Sequence, residues 1–180
     1  MTPRPLAKML LSFLLPSVLL GGTTDAVSVG KVPPEFVGGP WLNAPAPLTL
    51  AGLRGKVVIV NFWVYSCINC HNSLPTLSSW YGKYHDQGLE IVGVHTPEFE
   101  SDKPTDSVQA SLKADGVTWP IVQDNARTNW NAWGIHSWPT FIVIDRQGNV
   151  RASHVGEISS RFPGAIPGLD ATLRSLLAEK

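Results

Sequence analysis

Runs of apolar, mostly β-branched residues mark the strands of this chain. Three of them, Val57–Val64, Leu89–His95 and Phe141–Ile144, are apolar at nearly every position. Continuous apolar runs of this length are typical of strands that are covered on both faces. A hairpin turn is predicted over Asp145–Gly148, and Val150–Val155 forms the returning strand. The pattern therefore predicts a sheet whose central strands are buried on both sides.

Helical segments alternate with these strands. The longest helix is predicted over Asn69–His85, where apolar side chains recur at helical spacing on one face. Shorter helices are predicted over Ser107–Ala114, Arg127–Trp133 and Leu169–Ala178. Two further short strands are predicted over Leu48–Leu50 and Ile121–Val122. This order of elements indicates an α/β fold, with a central mixed β-sheet flanked by helices.

The N-terminal residues have the pattern of an export signal. Arg4 and Lys8 precede an apolar run, Met9–Leu20, and small and polar residues follow it up to Ala26. The apolar run is short for a membrane-spanning helix. We therefore expect residues 1–26 to be a signal peptide cleaved after Ala26. The alternative is that they remain as an N-terminal anchor. Either outcome places the protein outside the cytoplasm, in the bacterial periplasm or cell envelope.

Length and composition indicate one globular domain behind this segment. The chain has 180 residues, of which 43% are hydrophobic, and its formal net charge is zero. We expect residues 27–46 to be an irregular N-terminal extension with one short strand, and residues 47–180 to form the domain. No run of Lys or Arg offers a phosphate-binding stripe, so nucleic acid is not an expected partner. We expect a monomer.

The candidate chemistry lies in the two cysteines of the chain, Cys67 and Cys70. A pair this close constrains an unfolded chain very little, so a structural disulfide is the weaker interpretation. Structural zinc needs four ligands, so no metal is predicted. A cysteine at a helix N-terminus is stabilised as a thiolate. Cys67 is therefore predicted to attack a partner's disulfide and Cys70 to resolve the mixed disulfide. The redox-active Cys67–Cys70 disulfide is the only cofactor expected.

The residues around this pair resemble a known family. Phe62 and Trp63 end the strand before the C-x-x-C motif, Pro75 lies five residues after it, and Trp138-Pro139-Thr140 precedes a later strand. This set resembles the thioredoxin superfamily. The segment LRGKVVIVNFW resembles the TlpA/ResA-like redoxins of bacterial envelopes. The segments WVYSCINCHNSLPTL, GLEIVGVHTPEFE, DNARTNWNAWGI and SWPTFIVIDRQGNVR resemble the extracytoplasmic redoxin domain of DipZ-type thiol–disulfide interchange proteins.

The resemblance implies a thioredoxin-like fold and a thiol–disulfide oxidoreductase that acts on protein thiols and disulfides of the cell envelope. It implies a cis bond at Trp138-Pro139 beside the cysteines, with Trp63, Ile68 and Asn69 shaping the site. The Ile68-Asn69 dipeptide lacks both the His of strong oxidants and the Gly-Pro of thioredoxin, and we favour a reductase. A membrane electron donor of the CcdA/DipZ type is then the expected partner.

Two departures from the family leave the proton acceptor open. Asn61 stands where thioredoxins have a buried Asp, and Ser73 stands where some ResA-like reductases have a Glu. Glu98 is one candidate for the acceptor, and a solvated surface glutamate is the alternative interpretation. The bulky Trp138 is expected to cover one side of the sulfurs, with core packing as its alternative role.

Three other functions remain open. Cys67, Cys70 and His71 also match the motif for covalent c-type haem, with His85, His95, His136 or His154 as a second iron ligand. A thiol peroxidase of the redoxin type is a second alternative, although Val64 stands where peroxiredoxins have Thr or Ser. The third is a non-enzymatic binding or chaperone module that uses the same groove.

Overall fold

The computed structural model describes Met1 and residues 27–179, so the predicted signal segment lies outside the described residues. The strands are β1 (Trp41–Leu42), β2 (Val57–Trp63), β3 (Leu89–His95), β4 (Ile121–Gln123), β5 (Thr140–Ile144) and β6 (Val150–Val155). The helices are α1 (Ile68–Tyr84), α2 (Thr105–Ala114), α3 (Thr128–Ala132) and α4 (Ile166–Ala178). None of these helices is long and apolar enough to cross a membrane.

The six strands form one mixed sheet in the order β1-β4-β3-β2-β5-β6. Strands β2, β3 and β4 are parallel, whereas β5 is antiparallel to β2, and β6 to β5. Consequently β2, β3, β4 and β6 end at the same edge of the sheet where β5 begins. We call this the cysteine edge, because Cys67 follows β2 there. The mixed sheet predicted from the sequence is confirmed.

Alternate residues of β2 divide between two cores, one on each face of the sheet. Val57, Ile59 and Trp63 pack against the inner side of α1, whose buried residues include Leu74 and Leu77. The remaining strand residues, Val58, Val60 and Phe62, are buried on the other face. They pack with three aromatic side chains: Phe36 of the extension, Trp130 of α3 and Trp133, which directly follows α3. The strand is therefore buried on both faces, as its continuous apolar sequence predicts.

Helix α1 extends one residue further at its start than predicted and continues past Pro75. It ends at Tyr84 and is followed by a short 3-10 turn, His85–Gln87. Gly88 then takes up the left-handed conformation, with φ of 101°, which glycine adopts at little cost. The chain thereby reverses directly into β3.

The strand predicted over Leu48–Leu50 is wrong. The backbone N–H groups of Leu50 and Ala51 donate to the Glu35 carboxylate, at 2.6 and 3.5 Å. The N–H of Leu53 donates to the Thr49 carbonyl oxygen, which closes a turn. Side-chain and turn hydrogen bonds thus take the backbone groups that a strand would offer to a neighbour. The short strand expected within residues 27–46 is present as β1, which pairs antiparallel with β4.

Candidate active site

Cys67 lies at the junction between β2 and α1. It is the N-cap residue of α1, and its Sγ accepts a hydrogen bond from the backbone N–H of Cys70 at 3.3 Å. Its carbonyl oxygen accepts the N–H groups of Cys70 and His71, both at 3.1 Å. Both cysteines are free thiols. The Cys67 sulfur therefore takes the position of a capping side chain, where helix N–H groups favour a negative charge.

This position acidifies the Cys67 thiol. The pKa of Cys67 is lowered from 9.0 to about 7, and a hydrogen bond from the Cys70 side chain is the largest cause. Backbone N–H groups of Cys70 and Asn69 also favour the thiolate, whereas partial burial of the sulfur opposes it. A substantial fraction of Cys67 is therefore thiolate at neutral pH, which is the form that attacks disulfides.

Cys70 has the opposite character. It is 2% exposed, and burial raises the pKa of its thiol far above the usual range. Its hydrogen bond to Cys67 and the charge of a Cys67 thiolate raise the pKa further. Cys70 thus stays protonated while Cys67 ionises. The half-buried first sulfur and the shielded second sulfur match the predicted order of attack and resolution.

Glu98 lies at the cysteine edge after β3, and its side chain is exposed. Its negative charge raises the pKa of both Cys67 and Cys70, although burial and hydrogen bonds influence these thiols more strongly. The exposure of the Glu98 side chain agrees with the interpretation as a solvated surface glutamate. Its effect on the two thiols agrees with the interpretation as part of the active site. Its role as the proton acceptor stays a prediction.

A buried carboxylate fixes the loop that carries Glu98. Asp102 accepts hydrogen bonds from the Ser66 hydroxyl and the Glu98 N–H, both at 3.1 Å, and from the Phe99 N–H at 2.9 Å. The Tyr65 hydroxyl donates to the Ser101 carbonyl oxygen at 2.6 Å. The two residues before Cys67 are therefore tied to the loop after β3. Sequence reasoning did not find Asp102, because nothing in the local pattern shows that these segments meet.

Trp63 is buried under the same site. Its ring meets His95 edge-on at 5.3 Å, and His95 stacks on Tyr65 at 5.6 Å. A Cβ atom at Gly93 would collide with the Ile121 side chain and lie 3.0 Å from Trp63 Nε1, so a glycine leaves room for both side chains. Burial lowers the pKa of His95 to about 4, so the imidazole is neutral at physiological pH. Trp63 thus supports the segment that leads to Cys67.

The two residues between the cysteines face outward. Ile68 is 68% exposed, and Asn69 is also exposed. Asn69 lines a surface groove of about 520 Å³ together with Val155 and Phe162, both of which are exposed apolar residues. This groove lies where β6 ends, at the cysteine edge. Its exposed apolar side chains thus lie next to Asn69, two residues after Cys67.

The Trp138-Pro139 bond is cis, as predicted. Trp138 is half-buried and packs against residues of both cores. Its ring lies 4.3 Å from that of Trp130. These contacts agree with the core-packing interpretation of Trp138, and its predicted cover of the sulfurs stays a prediction.

The two residues that depart from the family pattern do not supply an acid. Asn61 is 3% exposed, and its Oδ1 has no hydrogen-bond partner among residues 27–179. The Ser73 hydroxyl donates to the Asn69 carbonyl oxygen at 2.8 Å and accepts the N–H of Ile158 at 3.1 Å. Neither side chain ionises near neutral pH. Glu98 is a carboxylate whose charge raises the pKa of both thiols.

His71 is engaged on both sides of its ring. Its Nε2 contacts the Tyr65 carbonyl oxygen, and its Nδ1 lies 3.2 Å from the Asp115 carboxylate. An iron ligand would need one of these nitrogens free, so the geometry argues against the haem interpretation. Within the described part of the chain, no group of three His, Cys, Asp or Glu residues is arranged to hold a metal ion.

The opposite influences of Cys70 and Glu98 on Cys67 predict the pH dependence of its reactivity. Alkylation of reduced protein by iodoacetamide should follow an apparent pKa near 7. Glu98→Gln should lower that pKa, because it removes a repelling charge, whereas Cys70→Ala should raise it, because it removes the side-chain hydrogen bond to the Cys67 sulfur. We would measure the alkylation rate from pH 5 to 10. An unchanged midpoint in both variants would contradict this account of the site.

Comparison with known proteins agrees with this geometry. The sequence matches the AhpC/TSA family over residues 29–153. It is 42% identical to the protein DipZ of Mycobacterium bovis over 119 residues, which are 65% of this chain and 17% of DipZ. It is 34% identical to the thiol-disulfide oxidoreductase ResA of Geobacillus thermodenitrificans over 134 residues, which are 74% of this chain and 73% of ResA. The chain thus spans about a sixth of the length of DipZ.

A solved structure gives the same fold. The thiol:disulfide interchange protein DsbE from Chlorobium tepidum superposes with a TM-score of 0.72 at 24% sequence identity. The alignment covers 85% of this chain and 100% of that one. The expected thioredoxin-like fold is therefore confirmed.

Proposed function

Because this chain belongs to the AhpC/TSA family, with relatives named as thiol–disulfide oxidoreductases, we propose that it reduces disulfides of proteins outside the cytoplasm. The observation that carries the proposal is the contrast between its two thiols. Cys67 is half-buried, with a pKa near 7, and Cys70 is buried and stays protonated. Cys67 can therefore attack as a thiolate, and Cys70 remains a protonated thiol until the second step.

The proposed reaction uses both sulfurs in turn. The Cys67 thiolate attacks one sulfur of a substrate disulfide, forms a mixed disulfide and releases the first substrate thiolate. Cys70 then loses its proton and attacks the Cys67 sulfur, which releases the second substrate thiolate. Two electrons pass to the substrate, and the Cys67–Cys70 disulfide remains. Glu98 is the proposed acceptor of the Cys70 proton, because its carboxylate is near enough to influence that thiol.

Several features of the sequence support the extracytoplasmic location and the direction of electron flow. Residues 1–26 have the charge and apolar pattern of an export segment. The dipeptide Ile68-Asn69 provides no cationic side chain between the cysteines that would favour the thiolate and make the pair a strong oxidant. A reductase needs its dithiol restored, and a membrane donor of the CcdA/DipZ type is the proposed source of electrons.

Thiol peroxidase activity is a weaker candidate, although the matched family is AhpC/TSA. Residue 64, three positions before Cys67, is a buried Val with no hydroxyl group. A peroxidase would need another group there to hold the peroxide. The exposed apolar groove beside Asn69 is instead suited to a polypeptide segment.

The reduction potential of the Cys67–Cys70 pair tests the proposed direction. We expect a value near that of thioredoxin, around −270 mV, from equilibration with glutathione buffers. The fraction of oxidised protein can be followed by thiol labelling and mass. Cys70→Ser, which cannot form the internal disulfide, is the control for the assay. A value near −120 mV would instead identify an oxidant and overturn the proposed direction.

A further inference from the structure

Four segments that bear chemistry converge at the cysteine edge. Cys67 follows β2, Glu98 follows β3, Arg127 follows β4, and Trp138-Pro139 precedes β5. In open α/β sheets the loops at the carboxyl ends of parallel strands are where ligands bind. Arg127 is the cationic member of this set, and the proposed reaction does not use it.

Arg127 is held in a fixed position by two indole rings. Its guanidinium carbon lies 4.7 Å from the centre of the Trp130 ring and 5.1 Å from that of Trp138. The residue is half-buried and has a φ of 58°, a left-handed conformation that is uncommon for a long side chain. Cation–π contacts of this kind orient the planar group and reduce its freedom before any ligand arrives. The second ring belongs to the residue that precedes the cis-proline.

The charge of Arg127 is not neutralised within residues 27–179. Its guanidinium makes no hydrogen bond or ion pair with any of these residues. Asp124, three residues earlier, is already engaged: its carboxylate accepts the N–H groups of Asn129 and Trp130 and the Thr96 hydroxyl. A guanidinium has five donors, and here they remain available for an anionic partner.

We infer that Arg127 binds the carboxylate of an Asp or Glu side chain on the protein segment whose disulfide is reduced. The inference rests on the proposed function, because it concerns the substrate of that same site. A carboxylate accepts two parallel hydrogen bonds from a guanidinium, and this geometry suits a residue that discriminates between substrates. Trp138, whose ring contacts Arg127, precedes the cis-proline at the cysteine edge, where a substrate bound to Cys67 must lie. The substrate segment therefore passes within reach of the cation.

Sheet geometry gives the expected spacing. Strands β2 and β4 are two positions apart in the sheet, which is roughly 10 Å at the usual strand separation, and the contact with Trp138 draws the guanidinium towards β5 on the other side of β2. An extended chain advances about 3.3 Å per residue, so the acidic residue should lie up to about three residues from the reacting cysteine. Directly beside the cysteine the charge of Glu98 should repel a second carboxylate. The preference for an acidic substrate should therefore depend on where the acidic residue stands relative to the reacting cysteine, and not on the net charge of the substrate alone.

Pairs of synthetic peptides test this inference. Each peptide carries one disulfide and an Asp at a single position, one to four residues from the cysteine, and its partner carries Asn there. With the wild-type protein we expect kcat/KM to be about tenfold higher for Asp than for Asn at the third position, mainly through KM. At the first position the preference should vanish or reverse. In Arg127→Gln the third-position preference should disappear, so that the Asp and Asn peptides are reduced with equal kcat/KM.

Controls separate this inference from the function on which it rests. Arg174→Gln removes a charge on α4, where the arginine pairs with Asp170, and it should keep the Asp preference. A folding defect in Arg127→Gln would slow both peptides of a pair equally, which the Asn peptide reports. Equal preference in wild type and Arg127→Gln would overturn the inference while leaving the reductase proposal intact. Failure of the wild type to reduce any of the peptides would overturn both.

Discussion

Cys67→Ser should reduce the rate of disulfide exchange by at least about a thousandfold, because a serine hydroxyl is not ionised near neutral pH and cannot replace a thiolate. Cys70→Ser should behave differently. Its Cys67 still attacks, but no second thiol resolves the product, so a mixed disulfide with the substrate should accumulate. The structure gives the reason for this order: Cys67 is half-buried at the start of α1, and Cys70 is 2% exposed.

Trapping experiments can measure both outcomes. The two variants would be incubated with a peptide disulfide, quenched with acid and analysed by non-reducing electrophoresis and mass spectrometry. Reaction rates of the wild-type protein provide the reference. Accumulation of the adduct in Cys67→Ser rather than in Cys70→Ser would reverse the assigned roles. Full activity of Cys67→Ser would favour the non-enzymatic binding module.

Leu77→Ala should lower the free energy of unfolding by about 2–5 kcal/mol. Leu77 is fully buried on the inner face of α1, among residues of β2 and α4. Truncation removes apolar contacts and leaves a cavity that rigid strands and helices do not close. Urea unfolding followed by tryptophan fluorescence would measure the change, provided that the slope with denaturant is the same in both proteins.

A second truncation in the same helix serves as the control. Ile68 begins α1 and is 68% exposed, so Ile68→Ala should change the free energy of unfolding by no more than about 0.5 kcal/mol. The two variants lose similar numbers of atoms, and they differ in burial. Comparable destabilisation by both would contradict the packing described for α1.

The central strands could be predicted because their signal is local. Strand β3 occupies the predicted residues, Leu89–His95, and β2 ends at Trp63, one residue before the predicted end. Helix α4 begins three residues before its predicted start, at Ile166. Pro167 lies in its first turn, where the missing N–H has no helical partner to lose. Strands and helices with a clear hydrophobic periodicity can thus be predicted from the sequence. Their exact ends depend on single residues, such as Pro167 in the first turn of α4.

The error at Leu48–Leu50 has a different origin. A short apolar segment can form a strand only if a neighbouring strand accepts its hydrogen bonds. Here the Glu35 carboxylate, fifteen residues away from Leu50, takes the backbone N–H instead. Such a competitor has no signature in the local sequence. It becomes visible only when the path of the N-terminal extension is known.

The same distinction holds for the site. The cysteine pair and the cis-proline are contiguous motifs, and their elements could be assigned from the sequence. The position of Asp102, which links the loop after β3 to Ser66, depends on two loops that meet in space. Arg127 is likewise defined by Trp138, eleven residues later in the chain. Which loops meet depends on the order of the strands in the sheet, and the local pattern of hydrophobic residues does not determine that order.

Val27 and the end of α4 lie on different sides of the described domain, and this determines where the protein can be labelled or immobilised. The N–H of Val27 donates to the Trp133 carbonyl oxygen, and Val27 also lies near Thr140 and Val155, at the cysteine edge. The end of α4 lies on the opposite side, where the Leu177 carbonyl oxygen accepts a hydrogen bond from Arg146. A label attached at Val27 would lie at the edge of the sheet that carries both cysteines. A surface coupled behind α4 would leave both thiols facing the solution.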